Sequence, residues 1–158
     1  MNILGLDISR AYSSSDVPAF ELGQIAWADD GKAYQFAHAN GALAVGLVVV
    51  LDETGEATPL TTTTSAPAAG AGLPVGVVVT ALADNEYGWI QVFGPVAAIN
   101  VATSCAVHTR VNSTASSGRV DDDATAGAEV IEGLSTTGAE SSNSATGILR
   151  WPYVGATL

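Results

Sequence analysis

Gln24-Ile25-Ala26-Trp27-Ala28-Asp29-Asp30-Gly31-Lys32-Ala33-Tyr34-Gln35-Phe36-Ala37-His38 is the stretch that decides how this chain folds. Two apolar-rich arms flank Asp30-Gly31, a dipeptide suited to the positive-φ positions of a tight type I′ turn. Pairing outward from that turn sets Asp29 opposite Lys32, Trp27 opposite Tyr34 and Ile25 opposite Phe36. That gives one charge pair and two apolar pairs on one face, each worth ~0.2–1 kcal/mol. The reading is a β-hairpin with Trp27 in the core.

The same grammar continues downstream. Val45–Leu51 is a β-branched run closed by Asp52-Glu53-Thr54-Gly55, and Glu56–Leu60 returns, with Pro59 suggesting a sheet edge. Pro74–Leu82 is a second run. After the turn Ala83-Asp84-Asn85-Glu86, Tyr87–Gly94 carries apolar groups on both faces, which predicts a central strand. There Tyr87, Trp89, Gln91 and Phe93 share one face. Pro95–Val111 reads as further strand, with room for a helical turn within Ala97–Cys105. Arg119–Asp123, Val130–Thr136 and Gly147–Tyr153 complete the set. Thr61–Gly72 is low in complexity and reads as an exposed loop, or one that packs on a neighbouring subunit. No window carries a sustained helical period. The expected fold is all-β: a small, partly open barrel or sandwich of short antiparallel strands with little helix.

Residues 1–22 read differently. Apolar anchors Ile3, Leu4, Leu6, Ile8, Val17 and Phe20 surround a serine-rich centre, Ser13-Ser14-Ser15-Asp16, with no strand or helix period. The segment predicts an extended N-terminal arm that orders on a partner, preceding a single β-rich domain over 23–158.

Composition narrows the function. Five Lys and Arg stand against sixteen Asp and Glu, a net charge of −11. Phosphate contacts need clustered cations, so nucleic acid is not expected, nor is an anionic membrane surface. No apolar run reaches the ~20 residues of a membrane span. The N-terminus lacks a secretory pattern, which predicts synthesis in a reducing cytoplasm. The single Cys105 excludes an internal disulfide and reads as a small buried residue.

Only His38 and His108 are available as imidazole bases or ligands, and neither stands in a zinc-ligand spacing. Asp121-Asp122-Asp123 lacks the alternation, glycine and terminal Glu of a calcium loop. No nucleophile elbow or phosphate loop is present. No catalytic residue, metal or cofactor is therefore expected. Trp89 reads as core, and Trp151-Pro152-Tyr153 as a candidate subunit interface, where Trp and Tyr are enriched.

Several segments, in this order, resemble the small head decoration (cement) proteins of tailed bacteriophages. They are Ala26-Trp27-Ala28-Asp29-Asp30-Gly31-Lys32-Ala33-Tyr34, Gly41-Ala42-Leu43-Ala44-Val45-Gly46 and Tyr87-Gly88-Trp89-Ile90-Gln91-Val92-Phe93-Gly94. Asp121-Asp122-Asp123 with Thr125-Ala126-Gly127-Ala128, and Trp151-Pro152-Tyr153-Val154-Gly155, continue the likeness to the C-terminus. The resemblance implies a non-enzymatic structural protein of the virion, bound to the major capsid protein on the outer capsid surface. It implies self-association as a homotrimer at the joints between capsomers, and a capsid-binding arm at residues 1–22. A different class remains open beside it: a fibre-associated or surface β domain that binds a glycan through Trp89 with Gln91, or Trp151 with Tyr153.

Overall fold

The computed structural model describes residues 7–16 and 20–156. Among them there is no helix; ten strands form one mixed sheet. In chain order these are β1 (Ile25–Trp27), β2 (Ala33–Ala39), β3 (Val48–Leu51), β4 (Glu56–Pro59), β5 (Val75–Val78), β6 (Tyr87–Asn100), β7 (Arg110–Ser113), β8 (Val120–Asp121), β9 (Val130–Thr136) and β10 (Ser144–Val154). The order across the sheet is β1-β2-β4-β3-β5-β6-β10-β9-β7-β8, and a further pairing of β2 with β6 closes five strands into a ring. The fold is a small all-β barrel with a sheet extension.

The longest strand, β6, joins the two parts. Its first half pairs with β2 and β5, and its second half with β10. Val48, Val50, Val75, Val77, Ile99, Val111, Ile131 and Leu149 fill the largest apolar cluster, which links ring and extension. Ala33, Ala37, Val49, Leu51, Val78 and Ile90 fill a second. Small and β-branched side chains suit both, because strands crowd at the narrow waist of a small ring.

The opening hairpin forms, but one residue out of the expected register. Trp27 faces Ala33 and Ala26 faces Tyr34. Gly31 N–H donates to Ala28 O (3.1 Å), and Ala28 N–H to Lys32 O (2.8 Å). Gly31 has φ +80°, and Asp30 is not in the left-handed region. The turn is thus a three-residue loop ending in a bulge at Gly31, not the two-residue type I′ form. A one-residue slip exchanges the two faces of a strand. Ala26 therefore goes inward and Trp27 stands out, 46% exposed, which corrects its reading as core.

Two smaller expectations also change. β4 is interior rather than an edge. Its parallel pairing to β2 ends at Ala57, so the missing N–H of Pro59 falls beyond that ladder. Pro95–Val111 is strand only to Asn100 and then turns, with no helical turn, before β7. The Thr61–Gly72 loop is exposed at Thr63, Pro67, Ala68, Ala69, Ala71 and Gly72, as expected, and is anchored by buried Ser65, whose hydroxyl is 2.7 Å from that of Ser113.

Of the arm, Ile3, Leu4, Leu6 and Val17 lie outside the described residues. Ile8 and Phe20 pack on the body. Tyr12 exchanges two backbone hydrogen bonds with Tyr87, at 2.8 and 2.9 Å, and Thr80 Oγ1 donates to Ile8 O (3.0 Å). Phe20 sits with its ring centroid 5.1 Å from Trp89 and 5.4 Å from Phe36. These two anchors close a third, aromatic cluster of the chain's own body.

Candidate functional site

The site begins with a break in β10. Leu149 pairs with Leu134 and Tyr153 with Glu132, so Arg150, Trp151 and Pro152 stand opposite the single residue Gly133. Gly133 has φ +77°, and a Cβ there would lie 2.8 Å from Arg150 O and 3.1 Å from Pro152 Cα. Only glycine fits. Across the bulge Trp151 takes φ +54°, the left-handed region that a bulky side chain rarely enters, at a strain of about 1–3 kcal/mol. Bulges of this kind re-aim side chains. Here Pro152 turns inward while Trp151 and Tyr153 turn out, 44% and 47% exposed.

Trp151 meets the hairpin of the opposite chain end. Its ring centroid lies 5.9 Å from Trp27 and 5.6 Å from Phe93, and Trp27 lies 5.5 Å from Phe93. The two contacts of Trp27 are edge to face, a geometry that adds ~0.5–1.5 kcal/mol per pair beyond area burial, and Trp151 meets Phe93 at a tilt of 31°. Beside the three rings runs a groove of about 170 Å³, lined by Ile25, Gln35, Pro74, Val75, Val92, Trp151, Pro152 and Tyr153. An apolar cavity of ~150 Å³ accommodates a benzene ring, so the groove is sized for one large apolar side chain. Ile25, 39% exposed, forms its rim. Exposed apolar groups gathered on one face mark interaction surfaces.

The candidate interface residues Trp151, Pro152 and Tyr153 are thus brought together, with Pro152 as a buried support. Ile25, Trp27 and Phe93 join them unannounced by the sequence pattern. The signal that would have found them is the turn: a three-residue reading of Asp29-Asp30-Gly31 turns Ile25 and Trp27 outward. Trp89 and Gln91, offered as a sugar platform, are 1% and 2% exposed and unavailable to a ligand. Gln91 Nε2 instead donates to Pro95 O (2.9 Å) and Phe93 O (3.1 Å), stitching a bend in β6.

The remaining polar candidates are separate from this face. His38 Nδ1 lies 3.8 Å from a Glu56 carboxylate oxygen, with its ring against Tyr87. His108 occupies a turn at φ +60°. Cys105, Asp121 and Asp122 offer ligand atoms all within 4.8 Å of one another. Asp122 accepts the Ala106 N–H at 3.0 Å. Burial, helped by the neighbouring carboxylates, pushes the Cys105 thiol up to about 11. Burial also raises Asp121. These groups tie the turn after β6 to β8.

Comparison with family models, with curated proteins and with solved structures finds no match.

Proposed function

We propose that this chain is a non-enzymatic capsid decoration (cement) protein of a tailed bacteriophage. It binds the major capsid protein on the outer surface of the head, stabilises the contacts between capsomers, and assembles there as a homotrimer. The observation that carries the reading is the aromatic face: Ile25, Trp27, Trp151 and Tyr153 are all exposed on a protein of net charge −11. Exposing such a face serves association, and holding Trp151 at positive φ to build it is a local strain the rest of the fold sustains. The β scaffold of small side chains and the resemblance of the hairpin, the β6 segment and the C-terminal segment to head decoration proteins support the same reading. A trimer would concentrate three times −11, or −33, so its contacts belong on low-charge surface.

A glycan-binding domain is the second reading, favoured by the exposure of Trp151 and Tyr153 next to Gln35. Sugars need several polar partners around the ring platform, and here Gln35 and the Tyr153 hydroxyl supply the side-chain polarity of a largely apolar groove.

The test mixes the full chain with expanded capsids of the encoding phage, followed by cryo-EM and heat challenge. Added density at the threefold positions and greater resistance to heat support the proposal. No added density, with retention on a glycan array that Trp151→Ala abolishes, replaces it with the second reading.

A further inference from the structure

Asn40 and Gly41 form the only Asn-Gly pair of the chain. They follow β2 directly, and Asn40 is exposed. Gly41 has φ +95°, and a Cβ built on it would meet no atom within 4 Å. With no side chain at Gly41 and open space around it, nothing screens its backbone nitrogen from the Asn40 carboxamide. Carboxylates from two other segments touch the two nitrogens of this pair. Asp84, in the turn before β6, accepts the Gly41 N–H at Oδ1 (2.8 Å), while Asn85 Nδ2 donates to its Oδ2 (2.9 Å). Asn40 Nδ2 donates to Oε2 of Glu56, the first residue of β4 (3.2 Å). The surrounding backbone is fixed: Asn40 N–H donates to Ala57 O and Asn85 N–H to Ala39 O, both at 3.0 Å.

We infer that Asn40-Gly41 is a self-modification site, at which the Gly41 nitrogen displaces ammonia from the Asn40 carboxamide with Asp84 as the proton acceptor. Gly41 N and Asn40 Cγ are joined through the Cβ, Cα and carbonyl carbon of Asn40, so rotation about its own bonds closes a small ring. An intramolecular attack of this kind needs no partner brought in from solution. The bond from Gly41 N to Asn40 Cγ forms, and the proton on Gly41 N passes to the Asp84 carboxylate. The bond from Cγ to Nδ2 then breaks, and that proton goes to the departing nitrogen, which leaves as ammonia. Water, the one co-reactant, opens the cyclic imide at either carbonyl and leaves aspartate or isoaspartate in place of Asn40. Asp84 already stands at hydrogen-bond distance from the N–H that must be lost, which is the geometric requirement for a general base. The product puts a carboxylate beside Glu56 where a carboxamide had donated, so an attraction between the end of β2 and β4 becomes a like-charge repulsion. The inference is independent of the decoration reading.

The full-length protein is held at physiological temperature and neutral pH, and peptide mass spectrometry follows the fraction of chains with an acid, normal or iso, at position 40. The same chain unfolded in urea gives the rate without the Asp84 contact. Asp84→Asn keeps a hydrogen-bond acceptor but cannot take the proton. Asp123→Asn, exposed in the acidic run after β8, is the control of equal charge change. Conversion is expected to be faster in the native protein than in the unfolded chain, at least about tenfold slower in Asp84→Asn, and unchanged in Asp123→Asn. The comparison of native with unfolded chain needs no variant, so it decides even where Asp84→Asn fails to fold. No conversion in the native protein, or conversion slower than in the unfolded chain, means that the hydrogen bonds to Asp84 and Glu56 protect Asn40 and overturns the proposal. An equal rate in Asp84→Asn and wild type, or an equal slowing in Asp123→Asn, overturns it by removing Asp84 from the reaction.

Discussion

Trp27 and Trp151 stand 124 residues apart in the chain and meet edge to face, with ring centroids 5.9 Å apart and planes at 72°. Neither ring is buried in the core, and each is positioned by an irregularity of the backbone. The bulge at Gly31 turns Trp27 outward, and the bulge opposite Gly133 does the same for Trp151. The pair joins the first hairpin to the last strand at the surface proposed for docking.

A double-mutant cycle measures this contact. Trp27→Ala, Trp151→Ala and the double variant, unfolded in urea, are expected to give a coupling of ~0.5–1.5 kcal/mol. Strict additivity would mean that the rings are neighbours without energetic consequence.

Gly133→Ala is expected to destabilise the fold by more than about 1 kcal/mol, because alanine resists φ +77° and its Cβ would press on Arg150 O. The displaced segment carries Trp151, so its fluorescence shifts together with stability, and under the proposed function capsid binding falls with them. A variant equal to wild type in both would show that the bulge does not need glycine.

The aromatic plug of the N-terminal segment makes a third case. Phe20→Ala is expected to cost about 2 kcal/mol, below the roughly 3–5 kcal/mol of a fully buried phenylalanine, because Phe20 is half-buried. Loss of the ring opens the cluster around Phe36 and Trp89, read as dye binding and faster exchange of the Tyr87 amide. Deleting residues 1–20 would do the same, so a deletion of residues 1–6 is the cleaner probe of the capsid-binding role given to Ile3, Leu4 and Leu6.

Acid sensitivity has an identifiable contributor in Asp52. Burial pushes its carboxyl upward, but hydrogen bonds to Asp52 Oδ1 from Thr54 Oγ1 (2.7 Å), Glu56 N–H (2.9 Å) and Thr54 N–H (2.9 Å) outweigh it and hold the carboxyl below the usual carboxylate range. A group depressed in the folded state stabilises above its unfolded pKa, and that stability is lost as pH falls through the folded value. Asp52→Asn keeps an acceptor and loses the charge. It is expected to be less stable than wild type by up to about 1 kcal/mol at neutral pH, with the gap closing in acid. A gap that stays constant with pH would remove Asp52 from the acid transition.

Cys105 is expected to resist thiol reagents in the native protein, being 4% exposed and shifted up to about 11. Labelling at the unfolded rate under native conditions would contradict the packing of this turn.

The sequence by itself determined the class of fold. Val48–Leu51, Val75–Val78 and the two-faced run after Tyr87 are apolar and β-branched at strand length, and turn residues separate them, so local propensity and pattern agree. It also determined that Cys105 and Trp89 lie inside and that Trp151 and Tyr153 share a place. Tertiary structure decided the rest. Hairpin register depends on which turn geometry lets Ala26 and Tyr34 fill the core together, and Asp-Asp-Gly is compatible with more than one turn. Closure of the ring depends on β6 pairing on both edges, which no local pattern encodes. The outward turn of Trp27 and the strained backbone of Trp151 both follow from those long-range choices. A one-residue shift in pairing exchanges the faces of a strand, and here it exchanged core for surface at Trp27.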